Sequence, residues 1–162
     1  MFLIHRHICN NGDKLICSLS TVHSCGNVYG FRKEMIMKVI SIKEPFATLI
    51  KDGVKIYETR SWKTNYRGEI YVHASMSLSK SENVETANKY LKSDINPGYI
   101  LCRCELIDCI PMTDDFIDYI NSKTEESKYG RYSEGRYAWK LKVLEVLETP
   151  IPAKGKLGIW NY

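Results

Sequence analysis

Strands dominate the patterned part of this chain, without the regular strand–helix alternation of a doubly wound fold. That absence excludes more architectures than any other feature of the sequence. Lys38–Ile42 reads as a short apolar strand, Lys55–Trp62 as a second, and Glu69–Ser75 as a third in which Ile70, Val72 and Ala74 share a face. Tyr99–Ile110 and Arg136–Leu147 are two long strands, and Lys156–Trp160 is a last short one beyond interruptions at Pro150 and Pro152. Helices are inserted between them. Glu44–Asp52 has Pro45 in its first turn, Phe46, Leu49 and Ile50 on one face, and Gly53 as its stop. Ser79 and Glu82 have capping-box spacing, which predicts a helix to about Leu91 with Val84, Ala87 and Leu91 as its apolar stripe. Asp114–Ile120 reads as a short helix and Asn121–Glu134 as a polar loop. Five or six strands with helices between them predict an α+β fold built on a small mixed β-barrel.

A chain of 162 residues accommodates one domain, with 44% hydrophobic and 26% charged residues in the ordinary globular range. Residues 1–34 stand apart: they carry six charged residues and no sustained period, whereas the pattern is clear from Met37 to Tyr162. Two readings account for them, a translation start at Met35 or Met37 and a short flexible arm. Either predicts that deleting them leaves the stability of 37–162 intact, and an intact-mass measurement of the native product separates the two. No apolar run is long enough for a spanning helix, and the apolar stretch after Met1 is too short for a signal peptide, so a cytoplasmic protein without membrane contact is expected. His5, His7, Cys9, Cys17, His23 and Cys25 crowd the start of the chain, but the CxxC knuckle of zinc ribbons is missing, and neither a metal nor a cofactor is expected. Cys102 and Cys104 share a face of an apolar strand and read as buried free thiols. The net charge of +4 is a mild bias, compatible with an anionic partner without indicating one.

The stretch from Gly53 to Gly68 carries most of the chemistry. In a strand, Glu58, Arg60 and Trp62 point to one side, and Lys55 enters from the turn after the first helix. The competing reading is a solvated face with an ion pair of little energetic worth. Arg60, Trp62, Lys63, Tyr66 and Arg67 interleave cations with aromatic rings, which suits single-stranded nucleic acid: cations meet phosphates while rings stack on bases. Lys154 and Lys156 are further candidate phosphate contacts. His73 and Ser75 share a face of the next strand; a nucleophilic dyad there lacks a positioned acid, and a satisfied core histidine is the alternative. The acidic residues Asp114, Asp115, Asp118, Glu125 and Glu126 read as a solvated face.

The ordered series Ser41-Ile-Lys-Glu-Pro45-Phe-Ala-Thr-Leu-Ile, Gly53-x-Lys55-x-x-Glu58-x-Arg60-Ser-Trp62 and Tyr66-Arg67-Gly68-x-Ile-x-Val-His73-Ala-Ser75 resembles the ASCH domain family. Gly98-Tyr-Ile-Leu, Leu106-Ile-Asp108-Cys, Tyr137-Ala-Trp139 and the ending Pro152-x-Lys154-Gly155-x-x-Gly-Ile-Trp160 extend the resemblance from about Met37 to Tyr162. It implies a PUA-like barrel with a cleft beside the helix that precedes Lys55, and binding of RNA or a modified nucleoside in that cleft. There Lys55 and Arg60 supply positive charge, Trp62 stacks or walls the pocket, Glu58 accepts hydrogen bonds from a base edge, and His73 and Ser75 complete the ligand-binding set.

A bacterial branch of the family hydrolyses N4-acetylcytidine with a lysine, a threonine and a glutamate. Its lysine matches Lys55, but its threonine falls on Glu58, so the chain departs from the branch at the nucleophile. Asp118, Glu125 and Glu126 all stay open as counterparts of its glutamate. In an amidohydrolase reading Lys55 and Glu58 are the catalytic pair. A third reading is a protein-interaction module in transcription regulation.

Overall fold

In the computed structural model the described residues are 36–162; the expectations for residues 1–34, including the early histidines and cysteines, lie outside them. The order is β1 (Lys38–Glu44), α1 (Phe46–Lys51), β2 (Tyr57–Arg60), β3 (Gly68–Leu78), α2 (Val84–Asn88), β4 (Tyr99–Pro111), α3 (Asp114–Lys123), a 3-10 turn at Glu126–Lys128, β5 (Tyr137–Pro152) and β6 (Ile159–Asn161). Six strands form one mixed sheet in the order β2-β5-β4-β3-β1-β6. The α+β class read from the sequence is therefore the observed one. Only β1–β3 is parallel; the other pairings are antiparallel.

The sheet curls. Arg60, in β2 at one end of the strand order, reaches the carbonyl of Ser41 in β1, next to the other end, at 2.8 Å. A side chain thus bridges the gap that the backbone ladder leaves open. Inside lies an apolar core with Ile40, Ile42, Ile70, Val72, Leu106 and Trp139, against which α1 packs Ala47 and Ile50. Cys102 and Cys104 belong to this core, fully buried with their sulfurs 3.7 Å apart. A smaller cluster of Val39, Ile100 and Trp160 lies around β6.

Three local readings change. Strand β5 runs on through Pro150 to Pro152 instead of stopping before them. Its register against β4 slips between Val146, opposite Cys102, and Ile151, opposite Ile100, so Pro150 falls in an irregular stretch where no regular ladder donor is required. The capping box at Ser79 does not form. Helix α2 is only Val84–Asn88, and the Ser79 hydroxyl is used locally by the backbone N–H and the hydroxyl of Ser81. The polar stretch after Ile120 is partly helical, because α3 extends to Lys123. The Thr113 hydroxyl, which accepts from Phe116 N–H, caps its start. Among the described residues no helix is long and apolar enough to cross a membrane.

Candidate functional site

Lys55 owes its position to the way α1 ends. Gly53 takes φ 68, a left-handed conformation that favours glycine, and the N–H groups of Val54 and Lys55 both return to the carbonyl of Leu49 at 2.9 and 3.1 Å. The chain is folded back under the helix terminus, and the Lys55 side chain is driven inward until the residue is only 3% exposed. Its ammonium lies 3.9 Å from a Glu126 carboxylate oxygen, and 5.7 and 5.9 Å from the ring centres of Phe46 and Tyr132. Among the described residues no hydrogen-bond acceptor reaches it. Burial pushes the Lys55 amine below the usual lysine range, and the charges of Glu58 and Glu126 oppose that shift without reversing it.

Glu126 is equally enclosed, at 3% exposure, so the expectation of a solvated acidic face fails at this residue. Its carboxylate accepts from the backbone N–H of Ile56 and, at 2.9 Å, from the Tyr132 hydroxyl. Tyr129 donates its hydroxyl to the carbonyl of Val54 at 3.2 Å. The segment 126–132 thus clamps the turn that carries Lys55. The Tyr132 hydroxyl is pushed well above its usual range by burial and by the Glu126 carboxylate.

On β2, Glu58 and Arg60 do face the same way, with 3.1 Å between carboxylate and guanidinium. Arg136 donates to the carbonyl of Thr59 at 3.2 Å. The Arg60 Nε–H is enclosed and makes the 3.1 Å contact with Glu58 without hydrogen-bond alignment, whereas among the described residues no acceptor reaches the enclosed Arg136 Nε–H. Burial lowers the affinity of Arg136 for its proton, and the neighbouring charges of Arg131 and Arg60 act in the same direction, against that of Glu58.

All of these side chains but Glu126 line a cleft of about 1290 Å³ in which basic residues outnumber acidic ones eight to two. Of the residues singled out in the sequence, Lys55, Glu58, Arg60, Ser75, Lys154 and Lys156 line it. Trp62, Lys63, Tyr66, Arg67 and His73 do not. The strand ends at Arg60, so its alternation does not extend to Trp62. That indole stands edge-on to Trp139 at 4.6 Å instead. The Tyr66 hydroxyl donates to the carbonyl of Glu69, Arg67 pairs with Asp108 at 2.8 Å, and Lys63 is exposed. His73 is fully buried between Ser41 Oγ (3.2 Å) and the carbonyl of Ala153 (3.0 Å), and burial lowers its pKa. Sequence reasoning took Phe46 only for an apolar helix face, passed over Arg131, Tyr132 and Arg136 as site residues, and left Glu126 between a solvated face and one of three open counterparts of the branch's glutamate. The available signal was the spacing Glu126-x-x-Tyr129-x-x-Tyr132, large rings within an otherwise polar stretch. Among the described residues no group of three or more metal-ligating side chains comes together.

The chain is 24% identical over 133 residues to activating signal cointegrator 1 of Homo sapiens, and equally to that of Mus musculus; each match covers 75% of this chain. The aligned part is 22% of the relatives' length, so the chain spans about a fifth of them. The ASCH domain model matches residues 40–151, from inside β1 to the end of β5, and so takes in the cleft-forming turn, Glu58, Arg60 and Glu126. With that match over most of its length, the chain belongs to the ASCH domain family.

Proposed function

We propose that this ASCH domain binds RNA by taking one nucleotide or modified base into the cleft. The observation that carries the proposal is the Lys55 ammonium: enclosed, walled by two aromatic rings, beside a carboxylate, and without an acceptor of its own. A buried donor left unmade costs about 1–3 kcal/mol, more when charged. A fold tolerates that at a place where a ligand completes the contact. A base edge is such a ligand. Its carbonyl accepts from Lys55, its exocyclic amine donates to Glu58, and its faces lie against Phe46 and Tyr132, which take the walling role expected of Trp62. The excess of basic residues along the cleft suits a polyanion, with Lys154 and Lys156 as phosphate contacts at the rim. Titration of a short single-stranded RNA at several salt concentrations tests this. Three to five phosphate contacts give a log–log slope of about −2 to −3.5. Salt-independent binding, or none, contradicts it.

One observation favours a second reading, an amidohydrolase acting on an acylated base amine. The Lys55 amine is held toward its neutral form, the state a general base needs. Neutral Lys55 takes a proton from water, the hydroxide adds to the acyl carbonyl, and the C–N bond breaks. The proton passes to the leaving amine, giving a carboxylic acid and the free base. Glu58 in place of a hydroxyl nucleophile makes direct attack by water the available route. Incubation with N4-acetylcytidine, with Lys55→Ala as control, shows Lys55-dependent deacetylation if this reading holds and none if the cleft only binds.

A further inference from the structure

Three arginines converge on the cleft from separate parts of the chain: Arg60 from β2, Arg136 from the position just before β5, and Arg131 from the segment that clamps Lys55. Two of them are tethered by a single donor each, Arg60 to the carbonyl of Ser41 and Arg136 to that of Thr59. The Arg60 Nε–H faces the Glu58 carboxylate at 3.1 Å without hydrogen-bond alignment, and among the described residues the enclosed Arg136 Nε–H has no partner at all. Arg131 is exposed, and among the described residues no hydrogen bond or ion pair holds its side chain. The carboxylate paired with this group is Glu58, which lies against Arg60. Glu126, the other nearby acid, is committed to Ile56, Tyr132 and Lys55. Three guanidinium groups gathered around one carboxylate repel each other. A structural network would not leave the enclosed Arg136 Nε–H unused as well. Both features vanish when a doubly charged, multiply accepting group enters, because guanidinium forks match phosphate oxygens in shape and in charge.

We infer that Arg60, Arg131 and Arg136 form a phosphate subsite, so that the ligand of the cleft is a phosphorylated nucleoside and not a free one. This rests on reading the Lys55 recess as the base pocket. Two sources supply the same chemistry, the terminal monoester of a free nucleotide and the diester within a strand. Glu58 separates the two parts of the cleft: it pairs with Arg60 on one side and acts electrostatically on Lys55 on the other. A base in the recess therefore places its own sugar phosphate toward the arginines.

The test is calorimetric titration of the purified chain with the four common ribonucleosides, their 5′-monophosphates, a dinucleoside monophosphate whose single phosphate is a diester, and inorganic phosphate. The best 5′-monophosphate or the dinucleoside monophosphate is expected to bind at least tenfold tighter than its nucleoside, and the stronger of the two identifies the source. Arg131→Gln, at an exposed position without structural contacts, is expected to remove about tenfold of that gain, as for one charge-assisted hydrogen bond, while leaving nucleoside affinity unchanged. Arg136→Gln is expected to remove more, and circular dichroism checks that it folds. Equal affinity for nucleosides and nucleotides overturns the subsite and leaves the base pocket standing. Binding of inorganic phosphate and of all phosphorylated probes alike, lost in Arg131→Gln and with no nucleoside affinity, supports the subsite and removes the base pocket. No binding of any probe at millimolar concentration, or a phosphate gain that survives both substitutions, overturns the inference.

Discussion

At the start of helix α1 and just beyond its end, the protein buries two charged side chains and treats them in opposite ways. Glu44, fully enclosed, accepts from the backbone N–H and the hydroxyl of Thr48 at 3.0 and 2.8 Å and from the N–H of Asn96 at 3.3 Å. It ties the helix start to the loop before β4. Lys55, almost as deeply enclosed, has a carboxylate at 3.9 Å and no acceptor. The first charge is hydrogen-bonded within the fold; the second has only a carboxylate at 3.9 Å, and under the proposal above a ligand completes it. Burial alone therefore does not mark a functional residue here. Burial without a hydrogen-bond partner is what the proposal rests on.

Substitutions that break this comparison should fall in a definite order. The largest loss of stability is expected for Glu44→Ala, which strands the donors of Thr48 and Asn96: about 2–5 kcal/mol in chemical denaturation. A smaller loss, about 2–4 kcal/mol, is expected for His73→Ala, which empties a buried site between Ser41 and Ala153. His73 also predicts acid sensitivity. Its folded pKa lies below its unfolded value of about 6.5, so the unfolded chain takes up the proton first as pH falls. Stability should decline from about pH 6.5 down to the folded pKa, and His73→Ala should lack this increment. Arg67→Ala, which removes an exposed partner of Asp108, should cost under about 1 kcal/mol. A loss from Arg67→Ala as large as that from Glu44→Ala would show that the Arg67–Asp108 pair is not the weak, exposed ion pair its surroundings imply.

The sequence made the sheet legible wherever its period was undisturbed. Ile70, Val72 and Ala74 alternate as expected, and Cys102, Cys104 and Leu106 face the core from β4. It was less informative where register slips. A bulge between Val72 and His73 buries His73 along with both its neighbours, and another lets β5 continue past Pro150. The site was half legible. Gly53, Lys55, Glu58 and Arg60 are local in sequence, so turn chemistry and strand period bring them together. Glu126 comes from 70 residues beyond Ile56, whose N–H it binds, and no local signal separates it from Glu125, which is exposed and paired with Lys128. A short 3-10 turn decides which of the two adjacent carboxylates turns inward to Lys55 and Tyr132.

The central claim is that Lys55 is held for a ligand at the expense of the fold, and Lys55→Met tests it by denaturation and by titration with the 5′-monophosphate panel. The folded pKa of Lys55 lies below the unfolded value of about 10.4, so enclosing the amine disfavours folding at neutral pH, and the penalty fades as pH rises toward that value. Methionine fills similar space without that penalty. The account predicts a variant at least as stable as the parent at pH 7, with its advantage shrinking toward about pH 10, and without measurable nucleotide affinity. A variant that loses as much stability as Glu44→Ala and still binds the panel would contradict it, and would make Lys55 a structural residue like Glu44.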